Sequence, residues 1–386
     1  MKRLLLLMYA LVLLDEITLL AIVPLVPSYS DDFDLSGFGS GVLLSASSLA
    51  IVAGSIPGGV AADRLGSRRV TLAGGWLLVI SCIGQAVAPD FWTLLAARSV
   101  FGLASAVVWS AGLSWLSDSA GIERPGALGI VVSVAGIGGM AGPAFAGVLA
   151  DRVSRGAPFW FLAAAASLVV VMLTLADRGR ERSHAHHHLR EIAGLARRDA
   201  LIGGALLAML IGGFADGLVN LVAPAQLDAA GRSSAWIGVA LSTAALLFIL
   251  SSALAARRGA AMVTLGVIAA CAGINGLVTL PVLISGAAGG VVVMLLLRAP
   301  PLGVMYTVAF PVGVRGATRS GMGAGAVNGL LAFAWGGSNF VGSLSAGGLS
   351  QIAGHRGVYA VLIGCCVLAS AQVLVLRKRQ LVSSPQ

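Results

Sequence analysis

Residues 58–70 read GGVAADRLGSRRV, one aspartate and three arginines set between long apolar runs at 38–62 and 70–88. Gly58, Gly59 and Gly66 permit a tight turn, and Arg64, Arg68 and Arg69 suit a membrane surface facing anionic lipid. The stretch therefore reads as a short connection between two membrane spans. Outward from it the pattern repeats. Apolar runs of about 20 residues, the length a helix needs to cross a bilayer, occur at roughly 4–28, 38–62, 70–88, 91–116, 127–150, 158–176, 200–225, 234–256, 261–281, 286–311, 321–347 and 358–376.

The composition agrees. The 386 residues are 58% hydrophobic and 11% charged, with a mean hydropathy of +0.94. Soluble domains carry about a quarter charged residues, so a soluble globular class is excluded. The expected fold is all-α: twelve transmembrane helices in two six-helix bundles, 1–176 and 200–376. A cytoplasmic linker (177–199) joins them and a cytoplasmic tail (377–386) follows. Met1-Lys2-Arg3 is basic like a signal peptide, but the following run is too long, bears acids and lacks a small-x-small cleavage site, so it reads as a retained span.

The net charge of +9 orients the chain rather than marking a nucleic-acid partner. Nineteen Lys and Arg fall at the amino terminus, the tail, the linker and every second loop, against four (Arg152, Arg155, Arg232, Arg356) in the alternate loops. By the positive-inside rule both termini are cytoplasmic. The four cysteines lie within apolar runs and suggest neither disulfides nor a metal site. The linker carries His184, His186, His187 and His188 without a fixed scaffold, so no metal is expected. Its LREIAGLARR segment reads as a surface amphipathic helix.

A shift of 200 residues superposes the halves: Pro24 on Pro224, Arg98 on Arg298, Gly142 on Gly342, Gly147 on Gly347, with Asp15 one residue from Asp216. Charges within spans are rare here, so the Arg and Asp matches carry weight. Repeated six-helix halves are a transporter architecture, with substrate held near the midplane.

The 58–70 stretch resembles the loop signature between spans 2 and 3 of the major facilitator superfamily through Gly59, Asp63, Arg64, Gly66 and Arg68; Ala61 and Ser67 depart from it. The resemblance implies a conformational latch at the cytoplasmic side. Span 5, GIVVSVAGIGGMAGPAFAGVLAD, resembles the antiporter motif of the superfamily's drug:proton exporters through Gly129, Gly138, Gly142-Pro143 and Ala146-Gly147. A small-xxx-small face there permits close helix approach, and Pro143 is expected to kink the span. Arg98 and Gly102 match the span 4 signature R-x-x-x-G, whose arginine the resemblance ties to proton coupling. Pro300 and Pro301 are expected to break span 10 and leave Arg298 nearer an interface.

Asp15 and Glu16 lie side by side in span 1. A charged side chain at a span's centre costs roughly 3 kcal/mol, and helical neighbours point about 100° apart, so the two acids face different surroundings. DEITLLAIVPLVP resembles the first span of vesicular amine transporters and related bacterial multidrug exporters, which implies that Asp15 meets a substrate's cationic nitrogen. Asp15, Glu16, Asp216 and Arg98 are the proton-coupling candidates. Burial disfavours the charged form of a carboxylate, which lets protons and a cation compete for one group. The other reading is a structural ion pair, Asp15–Arg98 or Asp216–Arg298. Tyr9, Trp109, Asn220, Tyr306, Trp335 and Asn339 are further substrate-lining candidates, the aromatic faces suiting lipophilic cations.

The expectation is a monomeric, proton-coupled exporter of lipophilic, cationic small molecules in a bacterial inner membrane. A metabolite importer on the same fold and a non-transporting sensor are its rivals. No nucleophile–base set supports an enzyme, no G-x-x-x-x-G-K-[ST] supports a nucleotide site, and no cofactor is expected.

Overall fold

In the computed structural model, residues 2–120, 127–176, 199–285, 288–320 and 324–383 are described, and among them every regular element is helical. The His-rich linker segment, 177–198, lies outside them. Among the described residues, eleven helices are long and apolar enough to cross a membrane: Arg3–Asp32, Gly37–Ala62, Ser67–Val87, Phe91–Leu116, Ser133–Arg152, Ala157–Leu175, Ala200–Ala229, Ser234–Arg257, Leu265–Leu283, Ala288–Arg319 and Gly329–Leu381. The first ten are spans 1 to 10. The last is 53 residues long, roughly 80 Å at 1.5 Å per residue and far more than one bilayer. It breaks at Gly354, where φ is 63° and ψ −179°, so spans 11 and 12 run together across a glycine that only its missing Cβ permits.

Local chemistry sets the starts of several spans. Ser36 accepts the Gly39 N–H at 3.1 Å to cap span 2, and Asp90 accepts the Thr93 N–H at 2.8 Å to cap span 4. The Thr93 N–H bond holds the Asp90 carboxyl below its usual range. Asp199 Oδ1 accepts from Leu201 and Ile202 at 2.8 and 3.1 Å and caps span 7. Gly66, at φ 92°, makes the turn between spans 2 and 3. Large apolar side chains such as Leu168, Leu175 and Leu368 are exposed, the outward face that a bilayer solvates.

The chain forms two compact units. The first holds Met1–Ala185 with Asp228–Ser242, and the second His186–Leu227 with Thr243–Gln386. In the first, span 2 packs on span 4, span 1 on spans 5 and 6, and span 3 on spans 4 and 6. The half of span 8 up to Ser242 belongs to this unit. A Cβ at Gly147 would collide with the Ser234 carbonyl, and one at Gly238 with the Pro143 carbonyl. Ser242 Oγ also accepts the Ala144 N–H at 3.0 Å, and Asp151 Oδ2 accepts the Ala235 N–H at 3.0 Å. In the second unit, span 9 packs on span 10 and on the helix that carries spans 11 and 12.

One expectation is corrected here. Span 10 runs unbroken through Pro300, Pro301 and Pro311, and Arg298 is buried within it. Proline fixes φ near a helical value, but each one inside a helix removes an N–H bond and crowds the carbonyl one turn earlier, a cost the surrounding packing has to offset. Packing against span 8 supports this stretch, with Ser252 Oγ donating to the Gly303 carbonyl at 3.0 Å.

Gly102 illustrates how small residues hold the first unit together: a Cβ there would enter the Ser47 carbonyl of span 2. Gly102→Val is expected to lower unfolding free energy by about 1–3 kcal/mol. Gly364→Val, at a position with nothing within 4 Å, should change little. Thermal unfolding in detergent checks both.

Candidate functional site

Asp15 is fully buried in span 1. Its Oδ2 accepts the Ser105 hydroxyl at 2.8 Å and the Trp109 indole N–H at 3.1 Å, both from span 4, while Oδ1 has no hydrogen-bond partner. Trp109 sits in a five-residue π-helical segment, Val108–Gly112, inside span 4. Such segments shift the helical register locally and recur at functional sites. One Asp15 oxygen is thus held by two donors, with no cation among its partners.

Glu16 takes the adjacent direction. A Cβ at Gly138 would lie 2.8 Å from the Glu16 Cβ and 2.8 Å from the Leu13 carbonyl, and one at Gly142 would lie 2.8 Å from the Ile17 carbonyl. The span 5 glycines therefore press that helix onto the backbone carrying the acid pair. Asp15 turns to span 4, and the stem of Glu16 lies against span 5.

Arg98 does not pair with Asp15. It is 1% exposed, donates from Nη2 to Ser47 Oγ at 2.8 Å and lies 5.0 Å from the Phe101 ring centroid. Its Nε and Nη1 have no partner. Both residues of R-x-x-x-G thus act on Ser47: Arg98 bonds its hydroxyl and Gly102 sits against its carbonyl.

The second unit holds the repeat-related acid in a different manner. Asp216 Oδ1 pairs with Arg298 Nη2 at 2.9 Å, their side chains 20% and 7% exposed. Its Oδ2 accepts the Tyr306 hydroxyl at 2.8 Å, and Trp335 Nε1 donates to that hydroxyl at 2.8 Å. Phe248 packs edge-on against Tyr306. Trp335 reaches the site because span 11 lies close on span 7, where Cβ atoms at Gly213, Gly217 and Gly342 would each meet the partner helix's backbone. Asn339 Nδ2 donates to the Gly213 carbonyl at 3.4 Å in the same seam. Of the two ion pairs weighed from sequence, Asp216–Arg298 is present and Asp15–Arg98 is not.

The remaining candidates are scattered. Tyr9 and Asn220 are half-buried on spans 1 and 7, and Asn220 lies one turn beyond Asp216. In the 58–70 stretch Arg68 Nη2 donates to the Thr174 carbonyl at the end of span 6, at 2.9 Å. Arg64 is exposed and a Cβ at Gly59 would meet nothing. The helix of span 2 continues to Leu65 and so includes Asp63, whose side chain lies outside the described residues. Pro143 and Gly147 meet the first half of span 8, as above. Sequence reading missed Ser105, although the 201-residue shift that superposes Asp15 on Asp216 also superposes Ser105 on Tyr306. It missed Ser47 and Asp151 as well, which no spacing signals.

The ion pair makes a test. Arg298→Gln strands the Asp216 carboxylate and is expected to cost roughly 3–5 kcal/mol of stability. Asp216→Asn in the same chain should restore most of it, and a double-mutant cycle by denaturant unfolding in detergent checks this.

Comparison with known proteins adds the family. The chain is 32% identical over 187 residues to "Probable vesicular acetylcholine transporter-B" of Danio rerio, covering 44% of this chain and 37% of that protein. It is 28% identical over 152 residues to "Quinolone resistance protein NorA" of Staphylococcus aureus, 39% of each chain. The matched regions thus span well under half of each relative. A bacterial homologue of the human lysosomal transporter Spinster, solved inward-facing and occupied, superposes with a TM-score of 0.80 at 18% identity over 99% of this chain and 98% of that one, a likeness of fold. A transporter of the POT family superposes at 0.75 with 13% identity, over 97% and 96%. Residues 5–334 match the Major Facilitator Superfamily, and the chain is a member of that superfamily.

Proposed function

We propose that this transporter is a monomeric proton-coupled antiporter that exports lipophilic cations by alternating access across a bacterial inner membrane, with both termini cytoplasmic. The observation that carries the reading is Asp15: a fully buried carboxylate with one oxygen unpartnered and no cation beside it. An unpaired carboxylate in a low-dielectric interior is strongly disfavoured, so it takes either a proton or a cationic ligand. Each excludes the other, and that exclusion is the exchange step of antiport. Trp109 places an indole beside this carboxylate, its N–H on Oδ2, and an indole face suits an ammonium group. Arg98, a buried guanidinium with two unpartnered nitrogens, serves as a counter-charge that biases the proton's exit. Glu16 and Asp216 are further proton-carrier candidates by position.

One relative supports the cation: it is named for acetylcholine, a quaternary ammonium compound. Another, named for resistance to quinolones, supports export. The span 5 glycines support alternating access. Gly138 and Gly142 seat span 5 on the acid-bearing helix, and Gly147 with Pro143 seats it on span 8. A movement of span 5 therefore reaches Asp15 directly.

In everted vesicles energised to an acidic interior, adding a lipophilic amine should release protons, read as recovery of a pH-sensitive dye. Asp15→Asn should abolish the recovery, a loss of at least about tenfold, the equivalent of 1.4 kcal/mol. Recovery with neutral compounds alone would remove the cation-binding role. Accumulation of substrate in the opposite direction would replace export by import.

A further inference from the structure

The two repeat-related carboxylates differ in whether a proton can be added without disturbing what already holds them. At Asp216 the direction of each hydrogen bond is fixed by chemistry. An indole N–H only donates, so Trp335 donates to the Tyr306 oxygen. The single proton of Tyr306 is then committed to Asp216 Oδ2. A guanidinium has no lone pair to offer, so Arg298 also donates, to Oδ1. Both oxygens are then acceptors, the arrangement that suits an ionised carboxylate. A proton on Oδ1 would meet the guanidinium. A proton on Oδ2 would require the Tyr306 hydroxyl to turn to another acceptor while Trp335 still donates to it.

Asp15 has the opposite character. Both of its donors, Ser105 and Trp109, address Oδ2, and Oδ1 is unpartnered. A proton placed on Oδ1 breaks no bond. Its titratable neighbours are Glu16 on its own helix and the Cys82 thiol of span 3, within electrostatic reach and bonded to Thr18. Arg98 of span 4 is held by Ser47. Around Asp216 stand Arg298 and Tyr306 from span 10, with the Tyr359 phenol and Cys366 of span 12 near the guanidinium. Tyr359 itself donates to Gln226.

We propose that the exchangeable aspartate proton binds Asp15 alone, and that Tyr306 and Trp335 are positioning residues that keep Asp216 ionised as the permanent counter-ion of Arg298. The proposal rests on the antiport reading and divides the labour within it: one acid exchanges, its repeat mate stays charged. It also withdraws the polar atoms of Tyr306 and Trp335 from substrate binding and removes Asp216 from the carriers.

The test is infrared difference spectroscopy on the purified full-length protein, labelled with carbon-13 at the aspartate carboxyls so that Glu16 does not contribute. The titration runs over about pH 5–9, where buried carboxyls gain protons. The expected wild-type spectrum shows one band from a buried protonated aspartate, lost in Asp15→Asn and retained in Asp216→Asn. Tyr306→Phe frees Oδ2, and Trp335→Phe frees the Tyr306 hydroxyl to turn. Each should add a second band that disappears when Asp216→Asn is combined with it. A wild-type band lost in Asp216→Asn overturns the proposal, as does failure of both Tyr306→Phe and Trp335→Phe to add one. Amine-driven proton release by the wild type in vesicles, run alongside, separates the two ideas. Its absence sinks antiport, and its presence with an Asp216 band sinks only the division of labour.

Discussion

A carboxylate inside a bilayer has no water to return to, and the whole arrangement turns on how two such groups are compensated. A charged side chain at the centre of a span costs roughly 3 kcal/mol, so an uncompensated acid is retained only where its instability is used. Asp216 is compensated on both oxygens, by a guanidinium on one and a phenol hydroxyl on the other. Asp15 is compensated in part, by two neutral donors on a single oxygen. On the proposed antiport reading, that leftover affinity is what a proton or a cationic substrate satisfies in turn.

Close helix packing makes both arrangements possible. Hydrogen-bond donors of serine and tryptophan reach only a few ångströms, and in lipid there is no hydrophobic drive to bring helices together, so small residues at the seams set the distance. Gly102 brings span 4 onto span 2, and Gly138 and Gly142 bring span 5 onto the acid-bearing stretch of span 1. In the second unit Gly213, Gly217 and Gly342 bring span 11 onto span 7, within reach of Trp335. The same device appears in both halves at corresponding positions, Gly142 and Gly342, as the internal repeat predicts. At the far end of span 5, Gly147 and Gly238 do this for span 8, and Asp151 accepts the Ala235 amide in the first turn of that helix.

Much of this is legible in the sequence. Spans announce themselves because about twenty apolar residues have one stable fate in a membrane, and the observed bounds fall within a few residues of those read from composition for most spans. The acids and arginines within spans stand out because they are rare. What spacing does not give is direction. An Asp15–Arg98 pair was the alternative that the two charges offered, yet the arginine bonds Ser47 instead. Ser105 was invisible because serine is common in this chain and only its place across from Asp15 gives it a role. Pro300 and Pro301 suggested a break in span 10, whereas the helix runs on through both and Arg298 is buried beside Asp216. Gly354, where two spans meet in a single helix, is one glycine among 52.

The most direct measurement of the central claim is calorimetric titration of the purified transporter with a lipophilic quaternary ammonium compound, in buffers of different ionisation enthalpy at one pH. The number of protons released on binding follows from the buffer dependence. A single proton released per cation bound, falling to none along with the loss of high-affinity binding in Asp15→Asn, is the result the account predicts. Binding of the cation with no proton released, or undiminished binding and release in Asp15→Asn, would contradict it.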